Sequence, residues 1–482
     1  MLDLRPVGYV VGLLVATLGL TMFFPMLVDI AEGREHWPVF AESAILTILV
    51  GALVSVACHN RVADALNIQQ AFLLTVGVWV ILPAFGTLPF MLGETQASFT
   101  DAMFEAMSGL TTTGSTVFVG LDELPKGLLL WRGILQWLGG LGIVIVALAF
   151  LPVMRVGGMQ FFRSEGFDTF GKVLPRTIDI SKGVLNVYLA LTLMCAVSYI
   201  LLGLDPFEAT VHALTTVSTG GFSTRDDSFA AFPGLPQYAG IVFMVLASMP
   251  FVRLMQGMRG DLKPFFADSQ ARAYFRWIFY ACGAIVFYEF LVSKTLSEAA
   301  VRERLFNVVS IFSGTGYGDG DVTAWGGMPF VVLIIVGAIG GCTGSTGCSI
   351  KVFRYQLLFR AVGMQAARIF SPHKVTILRH DGRAVGDDVL QSVILLFTTY
   401  ILFFGLFSVA LALTGLTMSD ALTGAWTAIF NIGPAFGELV GPTGALNAYP
   451  SESKWIMIMA MLMGRLEVVA VVVLFMPVFW RD

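Results

Sequence analysis

Apolar runs of about 20 residues, the length that crosses a bilayer, recur at 7–29, 40–58, 71–92, 129–153, 184–203, 237–257, 275–292, 327–361, 390–415 and 455–479. This hydropathy pattern predicts an all-α polytopic membrane protein with ten crossings, and an even number of crossings puts both termini on one side. Between the third and fourth runs, the fifth and sixth, the seventh and eighth, and the ninth and tenth lies a shorter semi-apolar stretch that ends in a polar, glycine-bearing loop. The four loops are Thr111-Thr112-Thr113-Gly114-Ser115, Ser218-Thr219-Gly220-Gly221, Gly314-Thr315-Gly316-Tyr317-Gly318 and Asn431-Ile432-Gly433-Pro434. The chain therefore reads as a two-helix unit at 1–69 followed by four repeats of helix, half-helix, loop and helix. These fall at 70–158, 184–260, 272–362 and 390–482, with a cytoplasmic connection at 363–389.

Each half-helix is expected to open on an acid. Asp101, Glu208, Glu303 and Asp420 stand twelve or thirteen positions before Gly114, Gly220, Gly316 and Gly433. A carboxylate at a helix N-terminus caps free N–H groups and leaves the partly negative C-terminus aimed at the loop. Non-helical backbone at membrane depth is tolerated only where protein buries it or water lines it, and a ring of its carbonyls can replace the hydration shell of a cation. Four loops in register predict one pore with Gly114, Gly220, Gly316 and Gly433 in its filter, because glycine there lets successive carbonyls turn toward one axis. The Thr-Gly-Tyr-Gly core of the third loop reads like a potassium-channel filter.

Composition agrees: 56% of the 482 residues are hydrophobic and 13% charged, against about 25% charged in soluble domains. A net charge of −4 gives no reason to expect nucleic acid as a partner. The first apolar run exceeds the core of a signal peptide and is expected to be a transmembrane helix. Basic residues gather in three connections: Arg163, Lys172 and Arg176; Arg259, Lys263, Arg272 and Arg276; and Lys351, Arg354, Arg360, Arg368, Lys374, Arg379 and Arg383. By the positive-inside rule these face the cytoplasm, as do both termini. The opposite connections carry Glu94, Asp122, Glu123, Asp226, Asp227, Asp319, Asp321 and Glu438, an acidic mouth that concentrates cations. An Asp381-Gly382 turn between two β-prone runs at 375–385 predicts a hairpin hanging below the membrane.

Two further features sit inside apolar runs. Residues 338–349, rich in Gly, Ser and Thr, interrupt the eighth crossing; the segment lacks the Gly-Lys-Ser/Thr ending of a phosphate loop and suits a flexible gate, with a small-residue packing kink as the plainer reading. Arg465 and Glu467 lie within the last run, where a charge costs at least about 2.5 kcal/mol and so faces a cavity or a partner. Residues two apart on a helix do not face each other, so Glu467 is expected to have a partner other than Arg465, while Arg465 would act as a barrier to cations below the filter. Cys58, Cys195, Cys282, Cys342 and Cys348 form no CxxC pair, and His36, His59, His212, His373 and His380 show no metal-binding spacing. No hydrolase elbow, zinc or nucleotide motif is present, so no enzyme activity is expected.

Residues 110–116 (LTTTGST), 136–142 (QWLGGLG), 218–224 (STGGFST), 340–347 (GGCTGSTG) with Lys351, 431–434 (NIGP) and 464–467 (GRLE) together resemble the Trk/Ktr/HKT superfamily of potassium transporters, and most closely its TrkH branch. The resemblance implies a K⁺ filter built from Thr112, Thr113, Gly114, Ser218, Thr219, Gly220, Gly314, Thr315, Gly316, Asn431, Ile432 and Gly433. It implies a gating loop containing Gly340, Gly341, Gly344, Ser345, Thr346 and Gly347, with Arg465 beneath it in the permeation path. It also implies a homodimer in a bacterial cytoplasmic membrane, one pore per subunit, and a cytosolic TrkA-type ring whose nucleotide domains respond to ATP, ADP or NAD(H). Potassium would be the permeating ion, with no covalent cofactor. Gly114 favours potassium, since in plant relatives Ser at this position goes with sodium. The chain departs from the pattern at Gly347-Cys348-Ser349, where many relatives have consecutive glycines, and at residues 248–253, where Arg253 has no evident role. A gated potassium conduit is the leading expectation; a carrier coupling K⁺ to H⁺ or Na⁺, with Glu467 as its titrating group, is the alternative, and a receptor would leave the four loops unexplained.

Overall fold

A computed structural model describes residues 3–59, 66–149, 158–159, 177–371, 377–441 and 444–480. The C-terminal end of the expected 129–153 crossing, the basic residues Arg163, Lys172, Arg176 and Lys374, His373 and the first residues of the expected 375–385 hairpin lie outside them. The protein is an all-α polytopic membrane protein. Among the described residues, seven helices are long and apolar enough to cross a bilayer: Arg5–Ala31, Trp37–Cys58, Ile68–Leu92, Lys126–Val146, Lys182–Leu201, Ser269–Ser293 and Asp387–Leu413. Side chains such as Leu201, Phe279 and Leu413, at 80%, 73% and 83% exposure, point outward from them, as expected of a surface solvated by lipid tails.

The three remaining crossings are broken, each for a readable reason. Helix Leu235–Ala247 turns by 104° into Phe251–Met258 at Pro250, which removes a backbone donor and disfavours helix in the residue before it. Ser451–Arg465 turns by 107° into the short helix that follows it, through Glu467 in the left-handed region. The expected 327–361 crossing consists of Gly327–Ile339 and Val352–Phe370, separated by irregular backbone at 340–351. The second and fourth repeats were expected to end on continuous helices, so these bends correct the sequence reading.

Half-helices Phe99–Leu110, Pro206–Val217, Glu298–Ser313 and Met418–Phe430 occupy the centre, nearly all of their later residues buried. Ser98, Asp205, Ser297 and Thr417 cap their N-termini, each side-chain oxygen accepting a first-turn backbone N–H. The expected opening acid is misplaced in the third: that helix starts at Glu298, and Glu303 lies more than a turn inside it. There the Glu303 carboxylate accepts from Trp325 Nε1 at 3.0 Å and pairs with Arg304 at 2.6 Å, fixing the chain that returns from the loop.

The hairpin pairs Arg379–His380 with Arg383–Ala384. It does not hang free: Leu378 and Val385 pack with Phe353, Leu357, Val389 and Val393, and Ser269 Oγ donates to Asp381 Oδ2 at 2.9 Å. An isolated hairpin is marginal in water, and burial against its own helices is what stabilises this one.

Candidate functional site

All four half-helices end alike. The N–H groups of Thr113, Gly220, Thr315 and Ile432 donate to the carbonyls five residues back, at Ser108, Thr215, Ser310 and Thr427, over 2.9, 2.9, 2.9 and 3.1 Å. This is the six-to-one bond of a Schellman terminus, which requires a left-handed residue just before the donor. Thr112, Thr219, Gly314 and Asn431 take that role, with φ of 51°, 52°, 77° and 52°. Only one of the four is glycine, so three loops hold an uncommon conformation that the surrounding packing must enforce.

Two residues further on the backbone is left-handed again, at Gly114, Gly221, Gly316 and Gly433. The equivalent of Gly114 in the second repeat is therefore Gly221, and the expected register is one residue short there. With Gly221 in place, the acid-to-glycine separation is thirteen in every repeat. A β-carbon built on Gly114 would overlap the carbonyl oxygen of Gly220, one on Gly221 that of Thr315, and one on Gly316 that of Ile432; one on Gly433 would lie 2.9 Å from that of Thr113. Each loop thus abuts the next in the order one, two, three, four and back to one. The four form a closed ring with no space between neighbours for a side chain.

The ring is braced from behind. Gln136 Nε2 donates to the Gly220 carbonyl at 2.6 Å while its Oε1 accepts from Phe222 N–H at 3.0 Å, and Ser115 Oγ donates to the Gly433 carbonyl at 2.6 Å. Asn431 Nδ2 donates to Thr113 Oγ1 at 2.9 Å. A wholly buried ion pair, Arg132 Nε to Glu105 Oε1 at 2.8 Å, ties the chain leaving loop one to that leaving loop two. Sequence reading missed Glu105 and Arg132, although a charged residue inside an apolar run is itself a signal, and it gave Gln136 no role beyond its motif. Ser218, the remaining expected filter residue, turns its hydroxyl back to the Thr215 carbonyl at 3.2 Å.

Residues 340–351 cross directly beneath the ring and touch all four loops or their half-helices. Thr346 Oγ1 donates to the Val217 carbonyl at 3.1 Å and Ser349 Oγ to that of Phe430 at 3.0 Å. Cys348 Sγ lies 3.6 Å from Thr112 Oγ1, and Cys348 Cβ is 3.4 Å from a β-carbon built on Gly314. Loops one and three are diagonal in the ring, so a side chain that reaches both stands on its axis. Gly340 and Gly344 are left-handed, as are Ser349 and Lys351. Ser345 Oγ donates to the Cys342 carbonyl at 2.6 Å, and Gly341 and Gly347 pack face to face.

Arg465, 5% exposed, holds this segment from below, its Nη1 donating to Cys348 Sγ and to the Thr346 carbonyl at 3.3 Å. Glu467 pairs with Arg354 at 2.5 Å, the separate partner that a two-residue spacing from Arg465 demands. Arg253, unexplained by sequence, pairs with Asp268 at 2.9 Å beside the bend after Pro250. Above the ring, Arg225 bridges Glu208 and Asp122, and hydrogen bonding to that guanidinium holds the Asp122 carboxyl below its usual pKa. Burial, then repulsion from Glu303, pushes the pKa of Asp319 up.

A family model described as TrkH, a cation transport protein, matches residues 36–481. The chain is 37% identical over 479 residues to the Trk system potassium uptake protein TrkI of Halomonas elongata, covering 99% of this chain and 97% of that protein. It is 33% identical to the Trk system potassium uptake protein TrkH of Escherichia coli, over 99% of each. Among solved structures, the crystal structure of the potassium transporter TrkH from Vibrio parahaemolyticus superposes with a TM-score of 0.91 at 32% identity, covering 100% of both chains.

Proposed function

This chain belongs to the TrkH family of cation transport proteins, and from that premise we propose that it takes up potassium across a bacterial cytoplasmic membrane through the four-loop ring. The observation that carries the reading is the closed contact of each loop with the next: a ring without gaps holds its carbonyls at a fixed spacing, and a fixed spacing is what lets them substitute for the water around a dehydrated cation. The half-helix C-termini aimed at the ring add partial negative charge. Segment 340–351 is the gate, and Arg465 its latch, because opening the axis requires Cys348 to leave the diagonal between Thr112 and Gly314. A homodimer with one pore per subunit, cytoplasmic termini and a TrkA-type nucleotide-responsive ring against the basic cytoplasmic connections complete the proposal.

The test is uptake of radioactive rubidium into proteoliposomes under a potassium gradient, with external K⁺, Na⁺ or choline as competitor. Competition by K⁺ and not by equal Na⁺ supports the proposal; no uptake, even from Arg465→Ala with the regulatory ring and ATP added, would refute it. In the same assay Arg465→Ala alone is expected to raise basal uptake several-fold, since it removes both the latch and a buried cation from the path.

External pH gives an independent check. With its pKa raised, Asp319 loses its charge at a higher pH than an ordinary carboxylate, so the mouth becomes less negative early in an acid titration. Uptake at low ionic strength should fall by about twofold as external pH drops through that range. Asp319→Asn should start lower and be flat there.

A further inference from the structure

Cys348 has a side chain that reaches two diagonal loops of the ring, and it stands where many relatives are expected to have glycine. What surrounds its sulfur is incompletely bonded. Arg465 uses Nη1 on Cys348 and Thr346, while its buried Nε and Nη2 have no hydrogen-bond partner. Asn431, wholly buried, spends its Nδ2 on Thr113 and Met461, while its Oδ1 has none. Cys348, Asn431 and Arg465 line the same cavity, of about 20 Å³, enough for one oxygen-sized group. Spare donors, a spare acceptor and room for a single oxygen therefore converge on one thiol.

We propose that Cys348 is a modification site, oxidised by peroxide to a sulfenic acid that locks the gate shut. The sulfur lone pair attacks one peroxide oxygen, the O–O bond breaks, and the thiol proton leaves with the departing hydroxide as water; sulfur is oxidised by two electrons and the peroxide reduced. The new S–O–H group matches the cavity: its oxygen accepts from the spare N–H of Arg465 and its proton is donated to Asn431 Oδ1. Larger adducts, such as a mixed disulfide with glutathione, exceed the space. Because Cys348 itself stands between Thr112 and Gly314 on the axis, the hydrogen bonds that oxidation adds hold that side chain, and with it residues 340–351, in the path. Cys342, in the same segment, does not line this cavity.

This inference rests on the proposed potassium uptake for its functional readout but not for its chemistry. Proteoliposomes are treated with hydrogen peroxide during rubidium uptake, then with dimedone, and the adduct is located by peptide mass spectrometry. Expected are a dimedone adduct on Cys348, an uptake rate lowered at least fivefold and restored by dithiothreitol, and a Cys348→Ser variant whose own rate, whatever it is, does not change with peroxide. No adduct on Cys348, or equal inhibition of Cys348→Ser, would overturn the proposal. Absence of rubidium uptake from untreated protein would count against the transport reading, and the adduct alone would then decide the thiol chemistry.

Discussion

Gly221→Ala is expected to abolish rubidium uptake, while Gly220→Ala, one residue earlier, leaves a measurable rate. Gly221 has φ +78°, and its β-carbon would fall on the carbonyl oxygen of Thr315. The left-handed conformation alone costs an alanine roughly 1–2 kcal/mol, about a factor of ten in the population of the intact ring. The overlap adds more, because the obstacle is backbone. Loop three can yield only by pressing Gly316 further onto the Ile432 carbonyl, and the displacement is handed round to the Thr113 carbonyl and back. Gly220 is different: its φ is not left-handed, and its β-carbon would meet the amide end of Gln136, a side chain that can swing aside at the loss of its hydrogen bonds to the Gly220 carbonyl and the Phe222 N–H. Initial rates, normalised to protein that elutes as a single species in detergent, separate the two. Equal losses would mean that the register drawn from the left-handed residues does not describe the working filter.

That register shows where sequence stops being sufficient. Hydropathy and polar interruptions marked four loops, and those are the loops that meet. In the second repeat, however, two adjacent glycines offer two alignments, and composition does not distinguish them; only the alternation of left-handed residues does. The broken crossings were partly legible. Pro250 carries a local instruction to end a helix, whereas the bend after Arg465 is set by what Arg465 and Glu467 bind, Cys348 and Arg354, more than a hundred residues away in sequence. Separation in the chain also hid the braces behind the ring, even over the 27 residues between Glu105 and Arg132. Glu105 and Arg132 each stand out as charges in apolar surroundings, but nothing in a single sequence says that they face each other. Glu303 was misplaced for a local reason: Ser297 is the better cap, so the third half-helix starts a turn earlier than a shared acid would suggest.

Arg132→Met is expected to be the most destabilising of the single changes behind the ring, and to cost more than the same change made together with Glu105→Gln. Arg132 donates to Glu105, to the Ser223 carbonyl at 2.8 Å and to Thr116 Oγ1 at 3.2 Å, and its guanidinium stacks 4.2 Å from the Phe222 ring centre. Glu105 in turn accepts from Val117 N–H at 3.0 Å and from Thr116 Oγ1 at 2.9 Å. Removing one member of a buried pair leaves an uncompensated charge, at about 3–5 kcal/mol. Neutralising Glu105 at the same time removes that charge while an amide oxygen still accepts from Val117, so part of the loss should return. The two exits it joins are those of loops one and two. Loop three is held at the same level by Asn307 on both backbone groups of Asp319, and loop four by Asp420 accepting from Leu439 N–H and the Tyr449 hydroxyl. Arg132→Met should therefore loosen half the ring, lowering the melting temperature in detergent and admitting Na⁺ as a competitor for rubidium, with both effects smaller in the double variant. If the double variant were no better than the single, the hydrogen bonds of Arg132 to Ser223 and Thr116, and not its charge, would be what holds the first two loops together.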